Sequence, residues 1–148
     1  MPLTHNPLLG PVAWCIHVTP ITSIDSILSN GLEPRIGPLS QQMENALRIY
    51  MFPSWEDLEN AHWLFDEGWP YEEEPALLAI NTQGIALNYD TGFEVSYQEV
   101  IETSRIHVLA PNELHWDSAK ALFLSYGGNE RSFDRRVISY ASNSMSGP

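Results

Sequence analysis

Three residues have types and settings that point to chemistry. They are His17 in Cys15-Ile16-His17-Val18-Thr19-Pro20, Tyr50 in Arg48-Ile49-Tyr50-Met51-Phe52, and Glu94 in Glu94-Val95-Ser96-Tyr97-Gln98-Glu99-Val100. A histidine in an apolar strand is either satisfied by backbone groups in a core or turns its ring toward a ligand. A strand tyrosine offers either core packing or a flat face for stacking. A glutamate among apolar residues is costly to bury unless its charge is used or paired. An imidazole can hold a hydroxyl, and a fixed carboxylate can steady positive charge that develops in a transition state.

The elements that must position these groups can be read from pattern. Val12 to Val18 is a buried apolar strand interrupted by His17, and a helix over Ile21 to Ser29 follows, capped by Thr19 or Thr22. Ile24, Ile27 and Leu28 fall on one helical face, and Gly31 ends the helix. Glu33 to Gln42 is a loop, and Arg48 to Phe52 is a strand. Ser54 with Asp57 three residues on is close to a capping box and opens a helix running to about Phe65. Ala76 to Ile80, Phe93 to Tyr97 and Arg105 to Leu109 are strands, with a turn at Gln83-Gly84. Asn112 caps a last helix over Glu113 to Ser125, which ends at Gly127-Gly128. In the strand with Glu94, residues 94 and 96 share one face and Phe93, Val95 and Tyr97 the other, so Glu94 is expected in a cleft and Val95 in the core. Glu99 and Glu102 flank the next turn and are rivals to Glu94 only if the register shifts.

The chain reads as one α+β domain over 1–148, with a mixed, mostly antiparallel sheet core and a few helices, an N-terminal arm to residue 11 and a polar tail from 139. Nineteen acidic residues against seven basic ones give a formal net charge of −12, and Lys120 is the single lysine. Nucleic-acid binding needs a cluster of bases, so it is excluded. The acids gather from Glu56 to Glu74, read as a solvated face and loop, with a surface for a basic partner or a nucleic-acid mimic as the alternatives. The lone Cys15 forms no internal disulfide, and Cys15 and His17, two apart in a strand, are poorly placed for a Cys-His nucleophile. The five histidines lack metal-ligand spacing, so no metal is expected. No signal peptide or spanning segment is seen, so the expected location is the cytoplasm, with no membrane partner.

The order His-x-Thr at the end of a strand, a helix closed by Gly31-Leu32, then Ile49-Tyr50 in a strand, resembles the nicotinamide-binding half of the ADP-ribosyltransferase superfamily. That superfamily includes the poly(ADP-ribose) polymerases, the diphtheria-toxin-like enzymes and the RNA 2'-phosphotransferases. The resemblance covers roughly residues 12 to 65 and, more loosely, 90 to 110. It implies that His17 hydrogen-bonds a ribose of NAD, that the backbone at Val18 clamps the nicotinamide carboxamide with Thr19 beside it, that Tyr50 stacks on the ring, and that Glu94 steadies the cation. Trp63 or His62 lies near the place of a second aromatic. Two positions depart from the pattern: Val18 replaces a glycine, and Leu58 stands near a serine donor. The implied activity is transfer of ADP-ribose from NAD, used as co-substrate, to a protein acceptor. NAD hydrolysis and a catalytically silent acidic interaction protein or inhibitor are the alternatives. Removal of an RNA 2'-phosphate is disfavoured by the scarcity of bases.

Overall fold

Antiparallel ladders organise the molecule. The computed structural model describes residues 12–34, 48–61, 74–89, 94–112 and 115–132. Trp63, His62 and Phe93 lie outside the described residues, as do the N-terminal arm and the polar tail. Six strands are described: β1 (Trp14–Pro20), β2 (Ile49–Met51), β3 (Pro75–Asn81), β4 (Asn88–Tyr89), β5 (Val95–Tyr97) and β6 (Ile106–Ala110). Three helices accompany them: α1 (Ile24–Asn30), α2 (Trp55–Asn60) and α3 (Trp116–Tyr126). They form one α+β domain in which every strand pairing is antiparallel.

One sheet has the order β1-β3-β6 and the other β2-β5-β4. The sheets meet at a single antiparallel bridge, where Ile16 and Phe52 exchange backbone hydrogen bonds of 2.9 and 2.8 Å. Through it the strands run β4-β5-β2-β1-β3-β6. The central strand β3, Pro-Ala-Leu-Leu-Ala-Ile-Asn, is a continuous apolar run buried on both faces, as a strand sandwiched between two cores must be. Alternation along the strands divides the core accordingly. Cys15, Ile49, Met51, Leu78, Ile80 and Val95 fill one side, and Ile16, Phe52, Leu77, Ala79 and Leu109 fill the other, against Leu58 of α2 and Phe123 of α3.

Several expectations need correction. β1 runs on through Thr19 and Pro20, so Thr19 is a buried strand residue and caps nothing. The following turn begins as 3₁₀ over Ile21–Ser23 before α1, and neither segment has a side-chain cap. Of the three residues assigned to the apolar face of α1, Ile27 is buried and Leu28 is exposed. Gly31 ends α1 at φ 87° and ψ 176°, a region open in practice only to glycine, and a Cβ there would lie 2.6 Å from Ile101 O. The cap at Ser54 is as expected: its hydroxyl accepts from Asp57 N at 3.1 Å and donates to the Asp57 carboxylate at 2.6 Å. α2 then stops at Asn60, well before Phe65. His115, not Asn112, precedes α3.

The acidic run is not uniformly solvated. Asp57 is buried, and Glu56 accepts from both the backbone N–H and the hydroxyl of Ser132 at 2.8 Å. These bonds hold the Glu56 carboxyl below its ordinary pKa. The Trp55 and Glu56 N–H groups at the start of α2 donate to Asn129 and Glu130 carbonyls, so the chain after α3 occupies the end of that helix.

A candidate site where two sheets part

The site follows from which edge of β1 is used. In an antiparallel ladder each hydrogen-bonded residue turns its N–H and C=O to the same side, and successive residues alternate sides. Thr82 N donates to Ala13 O at 2.8 Å, and Ile21 N donates to Glu74 O at 3.0 Å. With the register His17↔Leu78, the odd-numbered residues of β1 therefore bond to β3. The even-numbered ones face β2, where Ile16 forms the bridge to Phe52. The next rung would join Val18 to Tyr50, and it is not made. Instead the carbonyl of Tyr50 lies 2.8 Å from Nδ1 of His17. The imidazole thus takes the place of the rung, and the two sheets part beside it.

That contact fixes the state of His17. A carbonyl only accepts, so the proton sits on Nδ1 and the lone pair on Nε2. Burial lowers the pKa of His17 from its ordinary value, and the bond to Tyr50 opposes that fall without cancelling it. The neutral ring presents Nε2 as an acceptor, and among the described residues nothing occupies it.

By the alternation along β1, Val18 turns its N–H and C=O toward β2, beyond the Ile16–Phe52 bridge. Its side chain packs with Ile16 against the second core cluster and stays out of the gap. A peptide edge with an N–H beside a C=O is complementary to a primary carboxamide, which offers one acceptor and two donors. Thr19 follows, buried on the face that carries His17.

Tyr50 stands opposite Ser96 in the β2–β5 pair, so their side chains share a face. Glu94, half-buried and immediately before β5, falls on that face by alternation, and Val95 is buried in the first core cluster. β2 therefore lies between the strand bearing His17 and the strand that Glu94 opens. The rivals are elsewhere. Glu99 is exposed and accepts from Tyr97 OH at 3.2 Å, and Glu102 pairs with Arg105 at 3.3 Å in the turn before β6. Leu58 is core. Cys15 is buried and its thiol is pushed up to about 12, chiefly by burial, which leaves it inert as a nucleophile.

Sequence reasoning missed Ser96, whose hydroxyl accepts from Arg48 Nη1 at 3.4 Å on the face of Tyr50. A serine inside a three-residue strand carries no pattern that could have marked it. Among the described residues, no group of three or more His, Cys, Asp or Glu is placed to hold a metal ion, and no helix is long and apolar enough to cross a membrane. Comparison with protein-family models, with curated proteins and with solved structures gives no match to this chain.

Proposed function

We propose that this chain is an NAD-dependent ADP-ribosyltransferase that moves ADP-ribose from NAD to a protein acceptor and releases nicotinamide. The observation that carries this reading is the contact of His17 Nδ1 with the Tyr50 carbonyl, made where the ladder between β1 and β2 stops and beside the peptide edge of Val18. NAD supplies a glycosidic bond whose leaving group is neutral nicotinamide. On this reading the Val18 N–H donates to the carboxamide oxygen and its C=O accepts from the carboxamide nitrogen, fixing the plane of the ring over Tyr50. Nε2 of His17 accepts from a ribose hydroxyl. Glu94 supplies a negative charge beside the sugar carbon as positive charge develops there, with no proton transfer required of it. Trp63, outside the described residues, is the aromatic that the resemblance assigns to the far side of the ring.

The test is nicotinamide release from NAD by purified protein, followed alongside labelling of added proteins. Glu94→Gln keeps size and hydrogen bonding but removes the charge. It should lower release by about a thousandfold with NAD binding unchanged, the scale of losing one transition-state electrostatic contact. Glu99→Gln and Glu102→Gln should stay near wild type. An active Glu94→Gln protein with a dead Glu99→Gln protein would overturn the assignment of the carboxylate.

A further inference from the structure

Beyond α3 the chain turns back and fastens onto the start of α2. Gly127 ends α3 at φ 109°, and the Gly128 N–H donates to Phe123 O at 3.0 Å. A Cβ on Gly128 would lie 2.4 Å from the ring of the buried Phe123, so only a bare backbone passes over it. This path delivers Asn129 to a parallel bridge with Ser54, and the Trp55 and Glu56 N–H groups donate to the Asn129 and Glu130 carbonyls, each at 2.9 Å. One side chain closes the arrangement: Oε1 of Glu56 accepts both the N–H and the hydroxyl of Ser132, each at 2.8 Å. Lys120 of α3 holds the Glu130 carboxylate at 2.9 Å. Met51, Phe52 and Pro53 alone separate Tyr50 from Ser54, and Phe52 is bridged to Ile16, the neighbour of His17. The segment from Tyr50 to Glu56 is thus pinned to β1 at one end and to the chain after α3 at the other.

We propose that residues 128–132 are a clasp that Glu56 fastens while ionised and releases when protonated, and that its release loosens the Tyr50 carbonyl from His17. Ser132 brings two donors to one carboxylate oxygen, and hydrogen bonds to a charged acceptor are roughly twice as strong as neutral ones. Neutralising one group therefore weakens two bonds at once. The charges around Glu56 divide: Arg131 favours its ionised form and Glu130 opposes it, while Lys120, with Glu59 beside it, engages Glu130, and the Asp57 carboxylate is turned to the Ser54 hydroxyl. The Ser132 N–H first, then the Ser132 hydroxyl, holds Glu56 below the ordinary glutamate value of 4.5. The clasp is thus complete above about pH 4.5 and opens as pH falls through the lower folded value. None of this depends on what the cleft binds.

Glu56→Gln keeps size and an acceptor oxygen but removes the charge, so near neutral pH it should show what wild type shows in acid. Amide hydrogen exchange reads the clasp, and the proton NMR signal of His17 Nδ1–H reads the site. In Glu56→Gln the protection of the Trp55 and Ser132 amides should fall about tenfold while the β1–β3 ladder amides keep theirs. The His17 Nδ1–H signal should broaden as its bond to Tyr50 opens. Ser132→Ala removes one of the two donors and should move the same probes the same way by less, and it carries the test if Glu56→Gln does not fold. Unchanged protection at Trp55 and Ser132 in the folded variants would overturn the clasp. Lost protection there with the His17 signal undisturbed would overturn its link to the site, and an equal loss along the β1–β3 ladder would mean general destabilisation and overturn both.

Discussion

The two edges of β1 differ in what their backbone groups do. Toward β3 the ladder is continuous from Trp14↔Asn81 to Pro20↔Pro75, and it is extended at both ends by Ala13–Thr82 and Ile21–Glu74 bonds. Toward β2 the ladder is one bridge long, and a side chain replaces the second rung. One strand therefore ladders to β3 with its odd residues and bridges once to β2 with an even one. The hydrophobic effect does not distinguish the two edges, since Cys15 and Ile16 are equally buried. Backbone pairing does: the β3 edge is laddered along its length and the β2 edge is bridged at Ile16.

The largest effect should come from turning that contrast into a proline comparison. Thr19 N–H belongs to the β3 ladder, so Thr19→Pro removes an internal bond and strands a carbonyl of β3. The cost should be at least about 3 kcal/mol, visible as a large loss of denaturant midpoint. Val18→Pro removes an N–H that faces the gap. It should stay folded while losing nicotinamide binding. Equal destabilisation by the two prolines would erase the distinction between the edges.

Next in size is His17→Ala, which should cut NAD turnover by about a hundredfold in a protein that still folds, the scale of losing one positioned catalytic group. Unchanged turnover in a folded variant would remove His17 from the site. A smaller effect concerns acid. The folded-state pKa of His17 is lowered, so below the ordinary histidine value of about 6.5 the unfolded chain takes up a proton that the folded one refuses. Stability contributed by neutral His17 is thus present above about pH 6.5 and lost as pH falls toward the folded value. Melting curves across this window should show wild type losing stability on acidification, and the His17→Ala protein should lack that part of the loss.

What the sequence made legible was local. Ser54 and Asp57 announce their cap because both partners lie within one turn, and Gly31 announces a helix end because few other residues tolerate its φ. The fold class followed from strand and helix patterning. The pairing of His17 with Tyr50 was reachable only through a resemblance, since 33 residues separate them. The two-residue strand β4 has no periodicity to detect, and the last helix begins at Trp116 after His115. Arg105 looked like a strand residue. Its guanidinium in fact donates to Asn81 O at 3.0 Å and Gln83 O at 2.8 Å, tying down the turn after β3, a tertiary role that no local pattern encodes.

The central proposal is that the Val18 peptide edge receives a primary amide. Nitrogen-15 NMR of the Val18 amide during parallel titrations with nicotinamide and nicotinate tests it most directly. The two ligands differ only in amide against carboxylate, and a carboxylate can satisfy the Val18 N–H but is repelled by the Val18 carbonyl. Nicotinamide should shift the Val18 resonance in a saturable way, with nicotinate at least about tenfold weaker, the consequence of one lost hydrogen bond and a repulsion. A Val18 amide that ignores nicotinamide, or that responds to both ligands alike, would contradict the account.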